Sequence, residues 1–138
     1  MKLWQKNIDS LKEVEKFTVG NDRDFDLQLA PFDVLGSMAH AKMLASTGLL
    51  TKKECEIIIK DLKEIYSQIQ NSTFTIQNDI EDIHSQVEFL LTQKSGDVGK
   101  KIHSARSRND QVLVDIKLFL RNEIEELVSI IQPFFELL

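Results

Sequence analysis

Three observations predict an all-α fold. Apolar residues recur every three or four positions along most of the 138-residue chain, the spacing of helices buried on one side. Only two prolines and five glycines interrupt it. A hydrophobic fraction of 42% and a charged fraction of 28% are ordinary globular values, with enough apolar material for a core.

Taken in order, Ile8, Leu11, Val14 and Phe17 predict a short first helix behind Asp9 or Ser10 as cap, followed by a loop from Thr18 to Asp22. From Asp22 to Thr47 the pattern is helical again, but Pro31 removes a backbone donor and clashes with the preceding turn. This predicts a kink, or two helices meeting near Ala30. Gly36, Ser37, Ala41 and Ala45 form a strip of small side chains, open to close helix packing, to the approach of a ligand, or to both. Gly48 is the expected C-terminal cap. Thr51 with Glu54 three residues later forms a capping box for the next helix. Cys55, Ile58, Ile59, Leu62, Ile65, Tyr66 and Ile69 fall on its inner face.

Asn71 to Gln77 is a connector in which Phe74-Thr75-Ile76 is a candidate extended segment. Asn78 or Asp79 is the expected cap of a further helix that buries Ile80, Ile83, Val87 and Leu90 and stops before Gly96. A loop from Asp97 to about Ser107 then leads to a last helix beginning near Asn109. There Val112, Ile116, Leu120, Ile124, Leu127, Ile131 and Phe134 make one stripe, widened by Leu113, Phe119 and Val128. Polar residues narrow to Asp115, Asn122, Glu126, Ser129 and Glu136. So apolar a helix wants neighbours on most sides, which implies bundle helices beyond this chain or, alternatively, self-association.

A net charge of −5 argues against a general nucleic-acid binder. The single cysteine, Cys55, rules out an intrachain disulfide and suits a reducing compartment. The N-terminus lacks the apolar core of a signal peptide, and no run approaches the ~20 apolar residues needed to cross a bilayer. A cytoplasmic protein without a membrane partner is expected.

The chemistry concentrates in Gly99 to Gln111. Of the 17 lysines and arginines, Lys100, Lys101, Arg106 and Arg108 fall within nine residues that contain none of the 22 acids. The segment runs into a helix N-terminus, whose free N–H groups favour an anion. Arginine grips a carboxylate with two parallel hydrogen bonds, and an asparagine amide both donates and accepts. A carboxylate-bearing small molecule fits these groups. So does a solvated basic loop with Ser107 as cap and Asp110 at the third helical position. His84 and Glu88, four residues apart, are placed to share a ligand, but no second histidine or cysteine pair completes a metal site. Taken singly, His40 and His103 read as structural.

The run Lys101-Ile102-His103-Ser104-Ala105-Arg106-Ser107-Arg108-Asn109-Asp110-Gln111-Val112 closely resembles the argininosuccinate lyase signature. Ser107-Arg108-Asn109-Asp110-Gln111 is its most specific part. Glu81-Asp82-Ile83-His84 resembles the family's acidic-isoleucine-histidine segment, Gly36-Ser37 its glycine-serine pair, and Gly48-Leu49-Leu50-Thr51 the junction between them. The order and separations fit along nearly the whole chain. Departures are Leu3-Trp4-Gln5-Lys6 at the start, Pro31, Ile80 in place of an acid, and Ser104-Ala105 in place of threonine-glycine.

The resemblance implies an all-α chain of the fumarase/aspartase type. Residues 1–106 would form an N-terminal helical domain, and 107–138 the incomplete start of a central helical bundle that assembles as a homotetramer. It implies reversible β-elimination of argininosuccinate to arginine and fumarate, with no metal or cofactor. By residue-wise carry-over Ser37, Arg108 and Asn109 contact substrate, and Asp82 and His84 shape the site or contact substrate indirectly. Arg106, Ser107, Asp110 and Gln111 hold the loop and the helix start. The family's proton-transferring histidine and paired-serine loop have no counterpart here, so this stretch alone is expected to be inactive. The alternatives are a sister lyase of the superfamily, with another fumarate-yielding substrate, or a crystallin-like helical protein without enzymatic function.

Overall fold

The structure is a computed structural model that describes residues 22–138. The expected first helix, with Ile8 to Phe17, and nearly all of the loop after it lie outside the described residues. Helices α1 (Asp22–Ser46), α2 (Lys52–Gln70), α3 (Ile83–Ser95), α4 (Asp97–Lys100) and α5 (Arg108–Glu136) follow in order, with one 3₁₀ turn (Lys101–His103) between α4 and α5. Among the described residues there is no strand, in keeping with the all-α prediction.

α1 runs unbroken through Pro31, where the sequence predicts a kink or two helices. Tertiary contacts on both sides of the proline account for the difference. Before it, Arg23 donates to the carbonyl oxygens of Ile80 (2.9 Å) and Asn78 (2.6 Å), and Asp26 accepts the Ile83 N–H (3.0 Å). Beside and after it, Ala30, Val34, Ala41 and Leu44 are fully buried. The two halves are held in line by what they pack on, so the lost hydrogen bond is tolerated. Asp33 and Ser37 share this buried stripe at helical spacing.

The C-terminus of α1 turns at Gly48, whose φ of +80° suits glycine. The predicted capping box of α2 is present, with the Glu54 N–H on Thr51 Oγ1 and the Thr51 N–H on the Glu54 carboxylate. Ile58, Leu62 and Ile65 are buried, and Cys55, Ile59, Tyr66 and Ile69 flank them, as predicted. The connector after α2 is irregular, with Phe74 buried and no strand at Phe74-Thr75-Ile76.

α3 begins three or four residues later than a cap at Asp79 or Asn78 would start it. The actual cap is Asp82, which accepts the Ser85 N–H at 2.8 Å. Ile80 is buried ahead of the helix, and Leu91, rather than Leu90, is its fully buried leucine. Arg23 and Asp26 explain the late start, because they occupy the backbone groups of Asn78, Ile80 and Ile83. α3 ends at Gly96 as predicted.

The expected loop after Gly96 coils into α4 and the 3₁₀ turn, which buries Ile102. Gly99 makes that possible: a Cβ there would lie 2.3 Å from the Leu91 carbonyl oxygen.

α5 differs most from expectation. Its buried residues are Gln111 and Asp115, not its apolar stripe. Asp115, which the sequence places on the polar side, is 1% exposed. Ile124 is 60% exposed, and Leu120, Leu127, Ile131 and Phe134 are exposed with it. Val112 and Phe119 are half-buried instead, Phe119 meeting Phe32 edge-to-face at 5.9 Å between ring centroids. The side of α1 and α3 offered to α5 carries Asp33, Ser37 and His84. A polar side of α5 is therefore drawn inward, and the apolar side is left without a partner within the described residues.

Candidate functional site

A cavity of about 570 Å³ lies between α1 and the first turns of α5, with Asp33, Ser37, Arg106, Gln111 and Asp115 among its wall residues. Gly36 sets the approach of the two helices: an added Cβ would be 3.3 Å from Val114 Cγ1 and 3.7 Å from Asp115 Oδ1. Glycine at this position serves close helix packing and also lines the cavity.

The Ser107–Asp110 capping box starts α5, with the Ser107 N–H donating to Asp110 at 2.7 Å. That N–H, then the Ser107 hydroxyl, hold the Asp110 carboxyl below its usual range. The two side chains thus close the helix start between them.

The four basic residues do not form a free positive patch. Lys100 pairs with Asp97 at 2.9 Å, and Lys101 with Glu54. Arg106 donates to Ser37 Oγ at 3.1 Å, ahead of α5 and across to α1. Burial lowers the pKa of Arg106, while Asp33, Asp115 and Glu88 act to raise it. Arg108 meets Asp82 at 3.2 Å through Nε, Ser85 Oγ at 2.8 Å and Gln111 Oε1 at 3.5 Å. A guanidinium has five N–H donors, so these contacts leave Arg108 donors for a further acceptor. Asn109 is exposed on the first turn of α5 and is not part of the cavity wall.

Asp82 therefore caps α3 and anchors Arg108, and His84 is buried behind the wall. His84 Nδ1 lies 2.7 Å from Asp33 Oδ1 and 3.6 Å from Asp115 Oδ2, with the three residues 3%, 1% and 1% exposed respectively. Burial lowers the pKa of His84, but the hydrogen bond and charge of Asp33 outweigh it, and the net shift is upward. Burial, then the charge of Asp33, raises the Asp115 carboxyl to about 7.

Donor atoms of Asp33, His84 and Asp115 all lie within 4.8 Å of one another, and these are ligand types for a cation. The Arg106 guanidinium acts electrostatically on both carboxylates, and His84 Nδ1 lies within 3.6 Å of each.

Asp33 and Asp115 are the residues that single-sequence reading missed as partners of His84. Asp33 Oδ2, Asp115 Oδ2 and Arg106 Nε are buried without a hydrogen bond. The available signal was that Asp33 and Ser37 fall on the same helical stripe as the apolar Ala30, Val34 and Ala41. His40 Nε2 lies 2.8 Å from the Ser104 carbonyl oxygen, and His103 Nδ1 lies 3.6 Å from Glu88 Oε2.

Residues 5–138 match the family described as "Lyase". The chain belongs to that family. It is 55% identical over 137 residues to a protein of Bacteroides thetaiotaomicron named argininosuccinate lyase, covering 99% of this chain and 31% of the relative. A protein of the same name from Parabacteroides distasonis is 56% identical with the same coverage. One from Thermotoga neapolitana is 42% identical over 130 residues, covering 94% of this chain and 33% of the relative. The chain thus spans about a third of the length of these relatives. In this lyase-family chain, no helix among the described residues is long and apolar enough to cross a membrane.

Ala105 is the family departure that the structure explains most directly. Its φ is +58°, in the left-handed region that favours glycine. The resemblance places a glycine at this position, and the backbone keeps the left-handed turn with alanine in its place.

Proposed function

We propose that this chain contributes the N-terminal part of a cytoplasmic, homotetrameric argininosuccinate lyase, a carbon–nitrogen lyase that serves arginine biosynthesis by releasing fumarate and arginine. The observation that carries the reading is the 55% identity over 99% of the chain to proteins of that name, together with a helix start that holds Arg108 and Asn109 beside a cavity lined by Ser37. Residues 1–106 belong to the N-terminal domain and 107–138 begin the central bundle, where the exposed stripe of α5 receives helices from outside this chain.

The reaction removes a proton next to a substrate carboxylate, builds charge on that carboxylate as an aci-form, and breaks the C–N bond to the guanidino nitrogen. Fixed positive and hydrogen-bonding groups around the carboxylate stabilise that charge. In this assignment, Arg108 is already oriented by Asp82, Ser85 and Gln111 and offers its remaining N–H donors to a carboxylate. Asn109 offers an exposed amide one residue on, and Ser37 Oγ, accepting from Arg106, has its hydroxyl proton left to donate. Asp82 and His84 act on substrate indirectly, by fixing Arg108 and the helix start. The proton-transferring groups come from other parts of the assembly, so these residues alone do not turn over substrate.

The test is ultraviolet detection of fumarate when the intact protein is given argininosuccinate. A steady rise in absorbance supports the assignment, and no rise from a folded tetramer refutes it.

A further inference from the structure

The buried polar residues of α5 lie at its beginning, and the helix beyond them is largely exposed. Its position against the rest of the chain therefore depends on its N-terminal half, where Phe119 also meets Phe32 of α1. Gln111 meets Arg108 within the same helix, so it does not by itself hold α5 to another element. Asp115 reaches outward, to His84 of α3, which Asp33 of α1 holds in turn. The absent side chain of Gly36 lets α5 come close enough for this contact.

We infer that Asp115 is a positioning residue that, through His84 and Asp33, sets where the first turn of α5, with Arg108 and Asn109, stands against α1 and α3. Asp115 lies seven residues beyond Arg108, two turns along the same helix face. A slide or rotation of α5 at Asp115 is therefore carried directly to Arg108. The contacts form a ring: Asp115 to His84 on α3, His84 to Asp33 on α1, Ser37 of α1 to Arg106, and Arg108 of α5 to Asp82 and Ser85 at the start of α3. The charged groups acting on Asp115 are Asp33 and Asp26 of α1, His84 of α3 and Arg106 of the loop. Asp115 Oδ2 is buried and lies 3.6 Å from His84 Nδ1, so the size and shape of the side chain packed beside His84 tie it to this ring.

The test is hydrogen exchange and steady-state kinetics on the intact protein carrying Asp115→Ala. Amides of residues 111–115 should exchange about tenfold faster while α2 is unchanged. Asp115→Asn, which keeps shape and hydrogen-bonding capacity, should restore most of the protection. His84→Gln removes the same contact from the α3 side and should reproduce the local pattern; it decides the matter alone if the alanine variant does not fold. In the kinetic arm, which rests on the proposed lyase activity, Asp115→Ala should raise KM about tenfold with kcat within roughly threefold. Exchange at 111–115 equal to wild type, or acceleration of α2 to the same degree, would overturn the inference, as would an unchanged KM in an active enzyme. An inactive wild type would refute the proposed function instead, and the exchange measurement would still decide the role of Asp115.

Discussion

Replacing Asp115 with asparagine keeps the size and shape of the side chain and removes its ionisation. The Asp115 carboxyl is raised from an ordinary 3.8 to about 7, first by burial and then by the charge of Asp33. A group whose pKa is higher in the folded state binds its proton more tightly there. Its stabilising contribution is complete below the unfolded pKa and is lost as pH rises toward the folded one. The loss falls between about pH 4 and pH 7 and levels off above. At ~1.36 kcal/mol per unit, roughly 3 kcal/mol disappears between pH 5 and pH 8, on the order of a hundredfold in the folded-to-unfolded ratio. His84 adds to the same sign: its pKa is raised, Asp115 contributes to raising it, and its stabilisation is likewise lost as pH rises. Asp115→Asn lacks the first contribution and weakens the second. Urea unfolding of the intact wild type and variant, in parallel at pH 5, 6, 7 and 8, should show the wild type losing ground steadily to the variant. Parallel stability curves across that range would mean that the carboxyl titrates normally and that the burial argument is wrong.

Further substitutions probe the helix junctions and the site. Ala105→Gly relieves a left-handed residue at the threshold of α5 and should stabilise the protein by about 0.5–1 kcal/mol, the steric relief exceeding glycine's entropic cost; thermal unfolding measures it, and a lower midpoint would contradict it. Gly99→Ala drives a Cβ onto the Leu91 backbone and should destabilise by roughly 1–3 kcal/mol or more, read as a shift in the urea midpoint; an unchanged midpoint would show that α4 moves away freely. Asn109→Ala removes an exposed amide from the first turn of α5 and should lower kcat/KM for argininosuccinate while leaving the unfolding midpoint in place. Unchanged catalytic efficiency would take Asn109 out of the site.

Much of this protein is determined locally. Thr51 with Glu54 and Ser107 with Asp110 are capping boxes because each pair satisfies the free N–H groups of its own helix start, a matter of three residues' spacing. Gly48 and Gly96 end helices because they adopt positive φ without a Cβ penalty. The inward face of α2 follows from period alone, and the Ser107–Gln111 run carried the family resemblance. Other features depend on distant partners. Pro31 does not break α1 because Ile80, Ile83 and Phe119, 49 or more residues away, hold that helix on either side and beside the proline. α3 starts at Ile83, not beside Asn78, because Arg23 and Asp26 claim the backbone between them. Lys101, Arg106 and Arg108 became ties across the fold only when it brought Glu54, Ser37 and Asp82 to them, whereas Lys100 pairs with its near neighbour Asp97. Asp115 shows the difference most clearly. Hydrophobic periodicity assigns it to water, because period measures only which side of a helix is apolar. The tertiary structure buries it, because the surface that meets α5 carries Asp33, Ser37 and His84, and a buried carboxylate is stable only where such partners already stand.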